Sequence, residues 1–99
     1  MSNEEIVRRL EMEIVPGMHR SAVEQKLKEL PVEYVYVSRE YLEMIEQTTN
    51  GNVQLSGRFD VSTQYEEKGI GLSRVAIFVD LDEQERVVEI RTERVETGL

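Results

Sequence analysis

The apolar residues of this chain follow a helical period as far as Pro31 and a period of two for most of the chain beyond it. Ile6, Val7, Leu10 and Ile14 recur at helical spacing with Arg8, Arg9, Glu11 and Glu13 between them, which predicts a helix over roughly residues 3–13. Ser2-Asn3-Glu4-Glu5 has the form of a capping box at its start. Pro16-Gly17 breaks the pattern as a turn, with Gly17 able to take a positive φ. A second amphipathic helix buries Ala22, Val23, Leu27 and Leu30, with Met18 packing back near its first turn. Its start is open between His19, a poor N-cap, and Ser21, which forms a capping box with Glu24. Lys26 and Lys28 sit toward its C-terminal end, where the helix dipole favours positive charge, and Pro31 ends it.

Val32-Glu33-Tyr34-Val35-Tyr36-Val37-Ser38 is rich in β-branched and aromatic residues and predicts a strand. Tyr41, Leu42 and Ile45 predict a helical turn or two within residues 39–48, and Thr49-Asn50-Gly51-Asn52 reads as a turn. Val53, Leu55, Gly57, Phe59, Val61, Thr63 and Tyr65 then alternate with Gln54, Ser56, Arg58, Asp60, Ser62 and Gln64. This is the pattern of a half-buried antiparallel strand. Glu66-Glu67-Lys68-Gly69 reads as a turn, and residues 70–81 as the next strand. Ile70 and Leu72 have one parity there, and Val75, Ile77, Val79 and Leu81 the other, which implies a bulge near Ser73–Arg74 and turns Ala76 and Phe78 away from the core. Asp82-Glu83-Gln84-Glu85 reads as a tight turn, residues 86–95 as the last strand with Val88 and Ile90 inward, and Thr97-Gly98-Leu99 as a tail.

This order predicts an α+β fold, two N-terminal helices packed on one face of an antiparallel β-meander of three to four strands. Length agrees, since 99 residues suit one domain with a helical head at 1–31 and a β body at 32–99. There is no cysteine, so packing must hold the fold without disulfide or thiolate–metal help, and the compartment stays open.

Charge narrows the partners. The net charge is −8, and residues 32–99 contribute −7 of it, from fourteen acids and seven bases. No basic footprint is present for nucleic acid or for an anionic membrane surface. No apolar run approaches the ~18 residues of a membrane span, so no direct membrane insertion by this segment is expected. Residues 1–4 lack a basic start and an apolar middle, so they are not a signal peptide. The expected setting is cytoplasmic, or periplasmic and extracytoplasmic if an export or anchor segment precedes Met1.

No catalytic set emerges from the residues. His19, the one histidine, neighbours Ser21, but adjacent residues rarely aim both side chains at one point, and a helix-start role accounts for it. Asp80-x-Asp82-x-x-Glu85 lacks the glycine and further carboxylates of a calcium loop and reads as a solvated hairpin turn. Glu66 and Glu67 are an acid pair of the kind an acidic chain carries without function, and Gly69-x-Gly71 is too short for a phosphate loop. No cofactor or metal is implied. Tyr34 and Tyr36 are either interface aromatics or strand tyrosines over the core edge. Phe78, beside Ala76 and on the parity that leaves the core, is a candidate contact.

Gly17, Met18, Arg20, Val23 and Leu27 form the pattern G-M-x-R-x-x-V-x-x-x-L. With the later V-A-I-F-V-D-L-D-E-Q-E-R-V-V-E-I, it resembles outer-membrane assembly lipoproteins of the SmpA/OmlA type and, more broadly, the β-lactamase-inhibitor-protein-like superfamily. The likeness covers roughly residues 14–31 and 75–91. It differs in having no lipidated cysteine, His19 in place of a Ser or Thr, and Glu85 where the last hairpin usually has glycine. The resemblance implies two short helices on a curved antiparallel sheet whose open surface contacts proteins, in the bacterial cell envelope. The expected function is therefore a non-enzymatic protein-interaction module. It would bind a protein partner through the open sheet face, with Phe78, Arg58, Tyr34 and Tyr36 as contact residues. The alternative is a sensor that binds a small molecule or peptide between helices and sheet.

Overall fold

The computed structural model describes residues 1–45 and 55–98. The element order is α1 (Asn3–Glu13), α2 (Arg20–Lys28), β1 (Val32–Ser38), α3 (Arg39–Ile45), β2 (Leu55–Thr63), β3 (Glu66–Lys68), β4 (Gly71–Asp82) and β5 (Val87–Thr97). The expected turn at residues 49–52, the start of the alternating strand and the end of the expected third helix lie outside the described residues.

The fold is α+β, and among the described residues its sheet is antiparallel with five strands rather than the expected three to four. β1 pairs with β2, β2 with β4, β3 with β4, and β5 with the other edge of β4. The additional strand is Glu66–Lys68, which the sequence predicts as a turn. Its three residues are all exposed, so no apolar alternation marks them; the ladder to β4 orders them, and the chain reverses at Gly69–Ile70 instead.

The bulge expected at Ser73–Arg74 lies on the strand opposite. Between the Ser62–Ala76 pair and the Glu66–Ser73 pair, residues 63, 64 and 65 face only 74 and 75. The ladder of β4 to β5 runs without a shift through this region. The parity conflict in β4 is resolved by exposure: Ile70 sits in the turn at 80% exposed, and Leu72 at 43%. At the bulge the Val75 amide, which has no ladder carbonyl to meet, donates to Thr63 Oγ1 at 2.8 Å.

Val88 is likewise corrected. Leu81 pairs with Val87 and Asp80 with Glu89, so Val88 is the unpaired extra residue. Val87 is buried at 4% and Val88 is 38% exposed, while Ile90 packs on the core as expected.

One cluster joins Ile6, Leu10 and Ile14 of the first helical segment, Val23 and Leu27 of α2, and Phe59, Val61, Val75, Ile77, Val79, Leu81 and Val87 of the sheet. The Ser2 hydroxyl accepts the Glu5 amide at 3.2 Å and fixes the start of α1. At α2 it is His19, not Ser21, that caps: its Nδ1 accepts the Ser21 amide at 3.2 Å.

The G-M-x-R segment ties the helical head to the last hairpin. The Gly17 amide donates to the Val87 carbonyl at 2.8 Å, the Val87 amide to Met18 at 2.9 Å, and the Arg20 amide to Glu85 at 2.8 Å. Gly17 adopts φ +90°, open to glycine and strained for other residues. Arg86 Nη1 donates to its carbonyl at 2.9 Å. Gly57, on the core face of β2, is needed for close approach. A Cβ there would lie 2.6 Å from the Tyr36 ring carbon Cζ and 2.6 Å from the Val37 carbonyl.

Candidate functional site

The ladder registers divide the expected contact residues between two faces. Arg58, Asp60 and Ser62 of β2 pair with Asp80, Phe78 and Ala76 of β4, and these in turn with Glu89, Arg91 and Glu93 of β5. Directly paired residues share a face, so this grid is the polar face of the sheet. Arg58 and Phe78 come together on it: the guanidinium lies 5.0 Å from the ring centre. Arg91 approaches the same ring at 5.4 Å. The phenyl ring is thus held between two cations.

The arginines on this face are held by hydrogen bonds. Arg58 Nε donates to Asp60 Oδ1 at 2.6 Å. Arg91 donates through Nε to Asp80 Oδ2 at 3.2 Å and through Nη2 to Asp80 Oδ1 at 3.1 Å, a bidentate pair. Arg74 donates to Ser62 Oγ at 3.1 Å and to the Tyr65 hydroxyl at 3.2 Å. The alternation places Arg58 toward water, yet the residue is only 8% exposed, and Asp80 only 5%. A shallow depression of about 400 Å³ crosses the face, with Val35, Asp60, Ser62, Arg74, Ala76 and Phe78 among its lining.

Tyr34 and Tyr36 lie on the opposite face. They pair with Val61 and Phe59, and both rings meet the Phe59 ring edge-on, at 6.0 and 5.5 Å. The Tyr34 hydroxyl donates to Glu24 of α2 at 3.3 Å, and partial burial, with this carboxylate, raises its pKa above the ordinary phenol value. The Tyr36 hydroxyl donates to the Ser56 carbonyl at 3.2 Å, and the Arg20 guanidinium stacks 3.5 Å from its ring centre. The strand tyrosines therefore join α2 to the sheet edge and do not stand beside Phe78.

Of the motif residues, Val23 and Leu27 are fully buried, Met18 packs on the core, and Gly17 makes the hairpin contact. His19, Ser21 and Glu85 do converge: Ser21 Oγ lies 3.0 Å from His19 Nδ1, and Glu85 lies 3.9 Å from Nε2. Nδ1 already accepts the Ser21 amide, the ring is half exposed, and the carboxylate is beyond hydrogen-bonding distance. That is a helix cap with an ion-pair neighbour. In the Asp80–Glu85 segment, read from the sequence as a hairpin turn, Asp82 Oδ1 accepts the amides of Gln84 and Arg86, at 2.8 and 3.1 Å, and Asp80 is taken by Arg91. Among the described residues no group of three acidic, histidine or cysteine side chains is placed to hold a metal.

Sequence reasoning missed Arg91 as a member of the site. Its parity was legible, since Ile90 inward turns Glu89, Arg91 and Glu93 outward, but the register that sets Arg91 beside Phe78 was not, because the extra residue at Val88 shifts it. Among the described residues no helix is long and apolar enough to cross a membrane. No family model matches this chain, and neither the curated proteins nor the solved structures contain a match to it.

Proposed function

We propose that this chain is a non-enzymatic protein-interaction module that binds its partner through the polar face of the sheet, while the two N-terminal helices cover the other face. The observation that carries the reading is Phe78, an aromatic ring set in a polar face and fixed between the guanidiniums of Arg58 and Arg91. A ring held in place supplies contact area at little entropic cost, and the paired charges around it supply orientation. Glu33, Glu89 and Glu93 are exposed on this face, so the rim is acidic and suits a basic partner surface. The space between helices and sheet is occupied: Val23, Leu27, Phe59, Ile77 and Val79 have no exposed surface. That supports a surface binder over a sensor with an internal cavity. The resemblance at Gly17–Leu27 makes the cell envelope the first place to seek the partner.

The test starts from cross-linked capture and identification of a partner, then titrates the purified pair. Arg58 is too buried against Asp60 for a charge reversal to be informative, so the variant is Phe78→Ser alone. The reading expects binding to weaken at least about tenfold (~1.4 kcal/mol) while the circular dichroism spectrum is kept. It expects amide shifts on binding at Ser62, Ala76 and Glu93. Shifts confined to α1 and α2, or full affinity in Phe78→Ser, would overturn it.

A further inference from the structure

We propose that His19 makes the joint between α2 and the β4–β5 hairpin acid-sensitive: its neutral imidazole caps the helix, and its protonated imidazole gives up that cap and turns to Glu85. The proposal does not rest on the polar-face reading.

The device follows from where the first amides of α2 go. A helix opens with four amides that have no partner inside it. The Arg20 amide donates to the Glu85 carbonyl at 2.8 Å, and the Ala22 and Val23 amides donate to the His19 carbonyl at 3.0 and 3.1 Å. The Ser21 amide remains, and it donates to His19 Nδ1 at 3.2 Å. A hydroxyl or carboxamide oxygen, the usual cap, accepts at any pH. A ring nitrogen accepts only while its lone pair is free. The bond from the amide therefore assigns the ring its neutral form with the proton on Nε2. Once protonated, Nδ1 can donate to Ser21 Oγ, 3.0 Å away, but the Ser21 amide then faces a donor and has lost its acceptor.

The groups around the ring set the direction of the effect. From the β4–β5 hairpin, one oxygen of Glu85 lies 3.9 Å from Nε2, and the other lies 3.5 Å from Arg20 Nη1. Arg86, on the same hairpin, donates through Nη1 to the Gly17 carbonyl. The two guanidiniums and the positive end of α2 oppose a charge on the ring, and Glu85 favours it. Glu85 is exposed and shared with Arg20, so its pull is that of a surface ion pair, smaller than a lost cap at an adverse helix end. An unfolded chain has no cap to lose and binds the proton more readily. Stability therefore falls as pH drops through the range, from about 8 to about 5, in which an imidazole gains its charge.

The place of the loss gives it reach. His19 bridges to Arg86 of the hairpin, and the backbone bonds of Gly17, Met18 and Arg20 to Val87 and Glu85 lie on either side of it. Loosening the first turn of α2 thus loosens the strip that ties the helical head to the sheet. α1, capped by the Ser2 hydroxyl, has no such dependence. His19 is the one histidine in the chain, so no other imidazole contributes.

Nitrogen NMR from about pH 8 to about pH 5 reads ring and amide together. At the upper end the imidazole should show a bare Nδ1 and a protonated Nε2. As the ring titrates, the Ser21 amide should lose exchange protection about fivefold or more relative to Glu5, the amide that Ser2 caps. In His19→Asn, whose carboxamide accepts at every pH, Ser21 should keep its relative protection. That variant should also gain on the parent in Tm as pH falls, by roughly 2–8 °C at the acid end. Glu85→Gln removes the competing carboxylate, so its loss of stability in acid should exceed the parent's. A neutral ring protonated at Nδ1 would overturn the proposal. So would Ser21 protection that ignores the titration of the ring, or a Tm gap between parent and His19→Asn that does not change with pH. A smaller acid loss in Glu85→Gln would also overturn it, because the ion pair and not the cap would then carry the pH dependence.

Discussion

Replacing Thr63 by valine isolates the one hydroxyl that closes the sheet at its bulge. Thr63 is 3% exposed, and its Oγ1 accepts the Val75 amide at 2.8 Å inside the protein. Valine keeps the shape and removes the acceptor, which leaves a buried amide without a partner at a cost of about 1–3 kcal/mol. Burying a methyl in place of the hydroxyl returns at most about 0.8 kcal/mol. The net loss is about 1–2 kcal/mol, and a domain of this size loses roughly 4–8 °C per kcal/mol, so Tm should fall by roughly 5–15 °C. Thr63→Ser keeps the acceptor but loses a methyl, and can destabilise by a similar amount. Melting alone therefore does not separate the two. Amide exchange does: Val75 should exchange faster relative to its neighbours in Thr63→Val and keep its relative protection in Thr63→Ser. A Thr63→Val protein with the parent's Tm and the parent's Val75 protection would refute the account of the bulge.

Val23→Asp or Leu27→Asp should unfold the domain, since both side chains are fully buried and a lone carboxylate there costs a large share of the roughly 5–15 kcal/mol available; a parent-like Tm and circular dichroism spectrum would show the core to be misassigned. Glu4, hydrogen-bonded by Arg94, and Glu13, hydrogen-bonded by Arg9 and Lys26, both have carboxyls held below their ordinary pKa. A lowered folded-state pKa adds stability that is present above the unfolded value and is lost as pH falls through the folded one. Melts of Glu4→Gln with Glu13→Gln should therefore lie below the parent's at neutral pH and converge with it in acid; a gap that persists unchanged in acid would contradict the assignment. Glu85 has φ +59°, a conformation that costs a side-chain-bearing residue about 1 kcal/mol, and its exposed ion pair with Arg20 returns less. Glu85→Gly should thus raise Tm by a few degrees, and a lower Tm would mean that the contacts to His19 and Arg20 outweigh the strain.

What could be read from the sequence was whatever a period controls. α1 begins and ends where its apolar spacing and Ser2 place it, and Phe59, Val61, Ile77 and Val79 fill the core as their alternation predicts. What escaped was decided by contacts distant in sequence. β3 is a strand because β4 extends past β2, not because Glu66-Glu67-Lys68 has strand character. Val88 changed sides because the final hairpin admits one extra residue, with Glu85 in a conformation that glutamate rarely adopts. His19 caps α2 through a ring nitrogen, where a hydroxyl or carboxamide is the usual signal. In the candidate site, the alternation placed Arg58 and Phe78 together, but it also predicted that Arg58 would meet water. The depth at which Arg58 lies depends on Asp60 two residues on and Phe78 across the ladder, which no window of sequence shows together.

That depth bears on how the polar face is understood. Arg58 and Asp80 are less than a tenth exposed, and desolvating charge is expensive, while an apolar pair of similar size often stabilises as well. Simple solvation would be served equally well by lysines and glutamates standing free. Instead, the two arginines each spend hydrogen bonds on an aspartate and lay a guanidinium against Phe78. Pairing of this kind contributes order more than stability: it fixes the ring's position and removes rotamers that a partner would otherwise have to freeze on binding. An aromatic anchor already immobilised before contact is worth more to an interface than to a solvated surface. The burial of Arg58, which departs from the simplest reading of the alternation, thus fits the recognition at Phe78 proposed above.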